Sequence, residues 1–109
     1  MDILTAAEQL KTKYELTGSS TYEIVTGVVD KGLEGIPLVL FEENGEAMLT
    51  DCAEVANGVG ENLSEEELKD LARLFGFEVN DWHIEKKYES VNDVENFCSL
   101  VESIFPQKF

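Results

Sequence analysis

The chain has 109 residues, 43% hydrophobic and 28% charged, which is the composition of one ordinary globular domain spanning residues 1–109. Its 23 acidic and 8 basic residues give a formal net charge of -15, which disfavours binding to duplex nucleic acid or to an anionic membrane surface. With two cysteines, no basic leader and no apolar run near the ~20 residues of a membrane span, we expect a cytoplasmic protein.

The first predicted element is an amphipathic helix. Ile3, Ala7, Leu10 and Tyr14 are spaced by four, three and four residues, which places them on one helical face. We expect the segment 16–18 to end this helix, because its final glycine can adopt a positive φ.

Three strands are predicted next. Residues 22–29 alternate with a period of two, and residues 36–41 are apolar on both faces, as in a central strand. Asn44 and Gly45 lie between two apolar runs and favour a type I′ turn, because both central residues of that turn need a positive φ. Residues 47–50 are therefore the return strand of a hairpin.

Two helices are predicted to follow the hairpin. Asp51 is expected to cap a short helix that begins at Cys52 and breaks at the glycine-containing segment 57–60. Ser64 and Glu67 form a capping box, which starts a second helix with an apolar face of Leu68, Leu71, Ala72, Leu74 and Phe75.

The last two predicted elements are a strand and a helix. Residues 78–88 form a fourth strand, with Trp82, Ile84 and Tyr88 on one side and His83, Glu85 and Lys87 on the other. The segment 90–93 is expected to cap the closing helix, whose apolar stripe is Val91, Val94, Phe97, Cys98, Val101, Ile104 and Phe105.

The predicted order is α-β-β-β-α-α-β-α, which indicates the α+β class. We expect a small antiparallel β-sheet, made of a three-stranded meander plus a fourth strand, with the helices mainly on one face. No internal repeat and no linker divides the chain.

Cys52 and His83 are the two candidate catalytic residues. At the first position of a helix, backbone donors and the helix dipole can lower the pKa of the Cys52 thiol, although the adjacent Asp51 opposes this effect. His83 could act as a general base with Glu85 on the same strand face as its orienting partner. A buried small side chain for Cys52 and a solvated or cross-strand histidine for His83 are the structural alternatives.

Motifs for metals and cofactors are missing from the sequence. One histidine and two distant cysteines do not provide the ligand spacing of a zinc site, and the run 65–67 lacks the alternating oxygens of a calcium loop. The early glycines do not form a dinucleotide fingerprint. We therefore predict no metal and no cofactor.

The acidic residues are the remaining candidate for function. They are spread along the whole chain, as on a solvated surface, but they would also suit a mimic of nucleic-acid charge or an inhibitor that fills a basic cleft. The residues that this hypothesis assigns to partner binding are Glu42, Glu43, Glu46, Glu61, Glu65, Glu66 and Asp70.

The run 40–51 resembles the prokaryotic domain-of-unknown-function family one-eight-two-eight, which is found in bacteria and phages. The likeness lies in a hairpin that ends in Leu49-Thr50-Asp51, followed by a capped helix at 64–75, a strand at 77–84 and an amphipathic helix at 94–104. This chain has Cys52-Ala53 where the family often has a glycine. The resemblance implies the fold but no established activity.

Three functional hypotheses follow. The first is a small cytoplasmic protein of a bacterium or phage that acts through protein contacts, with a homodimer as one form, because an apolar sheet face or edge needs cover. The second is an acidic inhibitor or immunity-type protein that occupies the basic site of a nucleic-acid enzyme. The third is an enzyme that uses Cys52 or His83.

Overall fold

The computed structural model describes residues 1–59 and 62–105. In this part of the chain the helices are α1 (Ile3–Lys11), α2 (Glu54–Val59), α3 (Glu65–Leu74) and α4 (Asn92–Ile104). The strands are β1 (Leu16–Thr17), β2 (Tyr22–Ile24), β3 (Leu38–Glu43), β4 (Glu46–Thr50), β5 (Glu78–Asn80) and β6 (His83–Lys87). The α+β class is confirmed.

The six strands form one antiparallel sheet in the order β1-β2-β3-β4-β6-β5. The first four strands make a meander, and β6 then pairs with β4 and carries β5 on its far side. The prediction of three strands plus a fourth is therefore wrong in number. It missed β1 and merged β5 with β6; β1 and β5 lie at the two edges of the sheet.

The chain after α1 pairs with β2 and does not extend the helix. α1 ends at Lys11, whereas Leu16 and Thr17 form β1 opposite Ile24 and Glu23. The backbone N–H of Val25 continues this pairing by donating to the carbonyl of Glu15 at 3.0 Å. The expectation that residues 16–18 end the helix is wrong, because β2 offers these residues long-range backbone partners.

The predicted strand 22–29 stops at Ile24. Gly27 has a φ of +83°, and the hydroxyl of Thr26 donates to the carbonyl of Ile36, so the chain leaves the ladder here. The strand predicted at 36–41 is observed at Leu38–Glu43. Ile36 lies outside β3, because its N–H donates to the carbonyl of Val28 at 2.9 Å.

The sheet contains two hairpins with two-residue turns, of which the sequence indicates only one. Asn44 and Gly45 have φ values of +53° and +80°, which confirms the predicted turn between β3 and β4. Asp81 and Trp82 make the turn between β5 and β6 with φ values of +53° and +69°. The single strand predicted for 78–88 is wrong because this turn contains no glycine to reveal it.

The short helix α2 begins later and continues further than predicted. Cys52 and Ala53 have φ values of +54° and +63° and precede the helix, so Cys52 is not its first residue. α2 continues through Gly58, where the ring of Phe105 packs so closely that a Cβ would lie 2.9 Å from Cζ. The break predicted at 57–60 is wrong for Asn57, Gly58 and Val59, and residue 60 lies outside the described residues.

The predicted caps of α3 and α4 are both confirmed. Ser64 Oγ accepts from the Glu67 N–H at 3.1 Å, and Glu67 Oε1 accepts from the Ser64 N–H at 3.1 Å. Leu74, placed on the apolar face by its spacing, is 78% exposed at the end of α3. At the start of α4, Ser90 Oγ accepts from the Asn92 N–H at 3.2 Å, and Asp93 Oδ2 accepts from the Ser90 N–H at 3.1 Å.

One hydrophobic core joins the helices to one face of the sheet. The sheet supplies alternate residues of its strands, among them Ile24, Leu38, Leu40, Leu49 and Ile84, and each of these is fully buried. The helices contribute buried residues to the same core, including Ala7, Leu10, Leu68, Ala72, Phe97 and Val101. Because successive side chains of a strand point to opposite faces, the other half of each strand faces away from this core.

Candidate functional site

The side of the sheet that faces away from the core, called the outer face below, carries a central apolar strip. Val39 and Phe41 of β3 pair with Thr50 and Met48 of β4, which places these four side chains next to one another. All four are half-buried, and none belongs to the hydrophobic core or to the residues packed against it. This strip is an apolar surface at the middle of the sheet.

Carboxylates border most of the apolar strip, and Lys87 pairs with Met48 on its remaining side. Glu23 pairs with Val39, and Glu85 pairs with Thr50. Two pairs of glutamates lie directly opposite each other on neighbouring strands: Glu43 with Glu46, and Glu78 with Glu85. Like charges in such positions destabilise a sheet, so the Glu78–Glu85 pair places negative charge on the outer face at a cost in folding free energy.

The hairpin residues assigned to partner binding divide between the two sides of β3. Glu43 and Glu46 lie on the outer face, whereas Glu42 is exposed on the opposite side. Glu46 is partly neutralised: it accepts from the Met1 ammonium at 2.7 Å and lies 3.5 Å from Lys87 Nζ. The ammonium and Lys87 lower the pKa of Glu46.

The helical residues assigned to partner binding already have partners within the chain. Glu65 accepts from the backbone N–H of Trp82 at 3.0 Å and so holds the β5–β6 turn. Glu66 and Asp70 each lie 3.7 Å from a basic group, Lys69 and Arg73 respectively, on the surface of α3. Glu61 lies outside the described residues.

The two predicted acidic groups do not form one patch. β4 runs from the Asn44-Gly45 turn toward Asp51. The backbone N–H of Asp51 donates to the carbonyl of Ile84 of β6 at 2.9 Å. The β5–β6 turn, which Glu65 holds, therefore lies at the Asp51 end of the sheet. The glutamates of the hairpin lie at the other end.

Cys52 is exposed, beyond the end of β4. Burial and the carboxylates of Asp51, Glu54 and Glu23 raise the pKa of its thiol. Its backbone N–H donates to Thr50 Oγ1 at 3.2 Å, and its φ places it before the helix. Its geometry therefore does not activate the thiol.

We expect alkylation of both cysteines by iodoacetamide at pH 7 to be slower than alkylation of glutathione, because the reactive species is the thiolate. Burial raises the pKa of Cys98 to about 11, so Cys52 should be labelled first. Peptide mass spectrometry of timed samples measures both rates, with Cys52→Ser as the control. Labelling of Cys52 faster than glutathione would contradict this account.

His83 is exposed at the start of β6 on the outer face, where it pairs with Asn80. Its proposed orienting partner, Glu85, accepts a hydrogen bond from Asn80 Nδ2 at 2.8 Å. The carboxylate that would hold the imidazole is therefore engaged by a neighbour on β5.

Two buried aspartates, neither proposed as a site residue from the sequence, hold the ends of the elements around this face. Asp51 is 0% exposed and accepts from the backbone N–H groups of Ala53, Val55 and Ile84 at 2.9, 3.1 and 2.8 Å. Asp93 is buried against Lys86 Nζ at 2.7 Å. The sequence marked Asp51 as a cap and placed Asp93 in the capping segment 90–93. It did not reveal that Asp93 pairs with Lys86, because this cation lies in another element.

The described part of the chain has neither a metal-ion cluster nor a membrane-spanning helix. Among residues 1–59 and 62–105, no three histidine, cysteine, aspartate or glutamate side chains are grouped to hold a metal ion. No helix in the same part of the chain is long and apolar enough to cross a membrane. Comparison of the chain with family models, with curated proteins and with solved structures found no match.

Proposed function

We propose that this protein binds a basic protein partner through the outer face of its sheet. The observation that carries the proposal is the apolar strip of Val39, Phe41 and Met48, which lies outside the core and is bordered by like-charged glutamate pairs. An apolar centre with a charged rim is the usual anatomy of a protein interface. Sites that sacrifice stability for local charge are typically functional.

A basic partner is favoured over a second copy of this chain. A homodimer through the outer face would set one rim of glutamates against another, at a net charge of -15 on each chain. The sheet edges are also poor surfaces for self-association, because β1 has 2 residues and β5 has 3.

An inhibitor of a nucleic-acid enzyme is the second candidate. The Glu43–Glu46 and Glu78–Glu85 pairs place negative charges side by side on one surface, as phosphates do in a nucleic acid. An enzyme whose basic cleft accepted this face would be blocked, and added nucleic acid would compete with the protein for it. An enzyme based on Cys52 or His83 has less support, since the pKa of the Cys52 thiol is raised.

The origin and family of the chain stay predictions. The resemblance to family one-eight-two-eight and the cytoplasmic location rest on the sequence alone. The resemblance implies no established activity and so agrees with a protein that acts by binding. A cytoplasmic location also agrees with such a protein.

The test is a binding comparison between the wild-type protein and matched variants immobilised on a support. Glu78→Lys removes a like-charge pair, so it should fold at least as well as the wild type while weakening partner binding. Phe41→Ala shortens the apolar strip. Glu8→Lys makes the same change in net charge on the exposed side of α1 and is the control.

We expect a host-lysate protein, identified by mass spectrometry, that binds to the wild-type protein and to Glu8→Lys. Glu78→Lys and Phe41→Ala should not retain it. Its association rate should fall as ionic strength rises. Release by duplex nucleic acid would favour the inhibitor candidate. Equal retention by all four proteins, or self-association in place of a partner, would contradict the proposal.

A further inference from the structure

The β5–β6 turn and the start of α2 border an open surface cleft of about 370 Å³ at the Asp51 end of the sheet. This cleft, called the Trp82 cleft below, is lined by Ala53, Ala56, Asn57, Asp81 and Trp82. Its volume lies within the range of small-ligand sites, and it combines an aromatic ring, two small apolar side chains, an amide and a carboxylate.

Trp82 occupies a position that its backbone disfavours. Its φ of +69° belongs to the left-handed region, which a bulky side chain rarely adopts. The other hairpin of the same sheet uses Asn44 and Gly45 for an equivalent turn. The chain therefore keeps a large aromatic residue where glycine is easier, and 37% of the Trp82 surface stays exposed to solvent.

The structure holds this ring in place through its backbone. The N–H of Trp82 donates to Glu65 Oε2 at 3.0 Å, which fixes the turn to the first turn of α3. On the strands that flank the turn, Glu85 of β6 accepts a hydrogen bond from Asn80 of β5 at 2.8 Å. The turn is thus bonded to α3 through the Trp82 backbone and is flanked by a hydrogen bond between β5 and β6.

We propose that the Trp82 cleft binds an arginine side chain of the basic partner. A guanidinium can stack on an indole face by cation–π attraction while its N–H groups donate to a carboxylate and an amide oxygen. The Trp82 ring, Asp81 and Asn57 provide these three partners in one cleft. The net charge of -15 favours a cationic occupant over a neutral or anionic one.

Arginine is favoured over lysine because the cleft offers a flat ring and planar acceptors. A guanidinium is planar and weakly hydrated, whereas an ammonium is compact and strongly hydrated. This inference rests on the proposed function for the identity of the partner, but it concerns a different part of the surface from the outer face.

The test uses three short capped peptides, Gly-Arg-Gly, Gly-Lys-Gly and Gly-citrulline-Gly, which are too small to bridge the outer face. The chain has one tryptophan, so its indole N–H gives a single cross-peak in a ¹⁵N correlation spectrum. We expect the arginine peptide to shift this peak in a saturable titration, with an affinity at least tenfold higher than the citrulline peptide and several-fold higher than the lysine peptide.

Two variants separate loss of the site from loss of the fold. Asp81→Asn keeps a residue that tolerates a positive φ but removes the carboxylate, and it should weaken arginine binding at least fivefold. Trp82→Gly removes the ring and eases the turn, so the variant should still fold, as its cooperative thermal unfolding would show. Its arginine binding, followed by calorimetry, should be lost.

Equal shifts with all three peptides, or unchanged affinity in Asp81→Asn, would overturn the arginine site. Glu78→Lys and Phe41→Ala should leave peptide binding unchanged. If those outer-face variants also keep the lysate partner, the proposed function fails while the arginine site stands. If the partner is lost as expected but the peptides do not bind, only the arginine site fails.

Discussion

Replacement of Asp51 by alanine should lower the free energy of unfolding by about 3–5 kcal/mol, a large part of the stability of a domain of this size. The carboxylate is fully buried and accepts hydrogen bonds from three backbone N–H groups, those of Ala53, Val55 and Ile84. Alanine would leave these donors without a partner. Each buried donor without a partner costs about 1–3 kcal/mol.

The hydrogen bonds, and not the charge of Asp51, should account for this loss. Burial raises the pKa of the Asp51 carboxyl even though three N–H donors and His83 act to lower it, so ionisation by itself is less favourable here than in water. Asp51→Asn, which keeps one carbonyl oxygen but turns an amide donor toward the backbone donors, should cost about half as much.

Asp30 offers a matched control for Asp51. Its Oδ1 accepts from the backbone N–H groups of Gly32 and Glu34 at 2.8 and 3.0 Å, but these bonds are exposed to solvent. Asp30→Ala should therefore cost less than about 1 kcal/mol, because water can replace the carboxylate. Urea denaturation of the variants measures the differences, and similar losses for Asp30→Ala and Asp51→Ala would refute the argument from burial.

The second large effect is expected at the ion pair of Lys86 and Asp93. Lys86 Nζ lies 2.7 Å from Asp93 Oδ1 and 5.8 Å from the centre of the Phe77 ring, and the side chains of both charged residues are largely buried. Asp93 Oδ2 also accepts from the backbone N–H groups of Glu89 and Ser90. Lys86→Met should cost about 3 kcal/mol, because it leaves a buried carboxylate without its cation.

The neighbouring lysine tests whether burial is the cause. Lys87 points to the outer face, where its ammonium lies 3.5 Å from Glu46 with more than half of the side chain exposed. Lys87→Met should cost less than about 1 kcal/mol, as exposed ion pairs usually do. Equal losses for the two lysine variants in thermal denaturation would contradict the importance of the buried pair.

The pH dependence of the Lys86→Met effect follows from the pKa of Lys86. Burial lowers that pKa, but the hydrogen bonds to Asp93 and Glu89 outweigh burial and raise it above 10.5 in the folded state. The stabilisation is therefore fully present below the unfolded pKa and is lost as pH rises through the folded pKa. The stability difference between wild type and Lys86→Met should be constant near neutral pH and shrink above about pH 10.5.

The outer face illustrates how much of the candidate site could be predicted. The sequence placed Glu43 and Glu46 at the turn of a hairpin and His83, Glu85 and Lys87 on one side of a strand, and both placements agree with the observed registers. The sequence did not place them on one surface. That surface exists because β6 returns beside β4 after more than thirty residues, which no local pattern records.

The sequence by itself determined the α+β class, the Asn44-Gly45 turn and the capping box of Ser64 and Glu67, because each depends on residues that are close along the chain. The tertiary structure alone decided that β1 forms, that the chain turns at Trp82, and that Asp51 binds the backbone of Ile84. These features satisfy backbone groups with partners far away in sequence. Their free energy appears only when the whole sheet assembles.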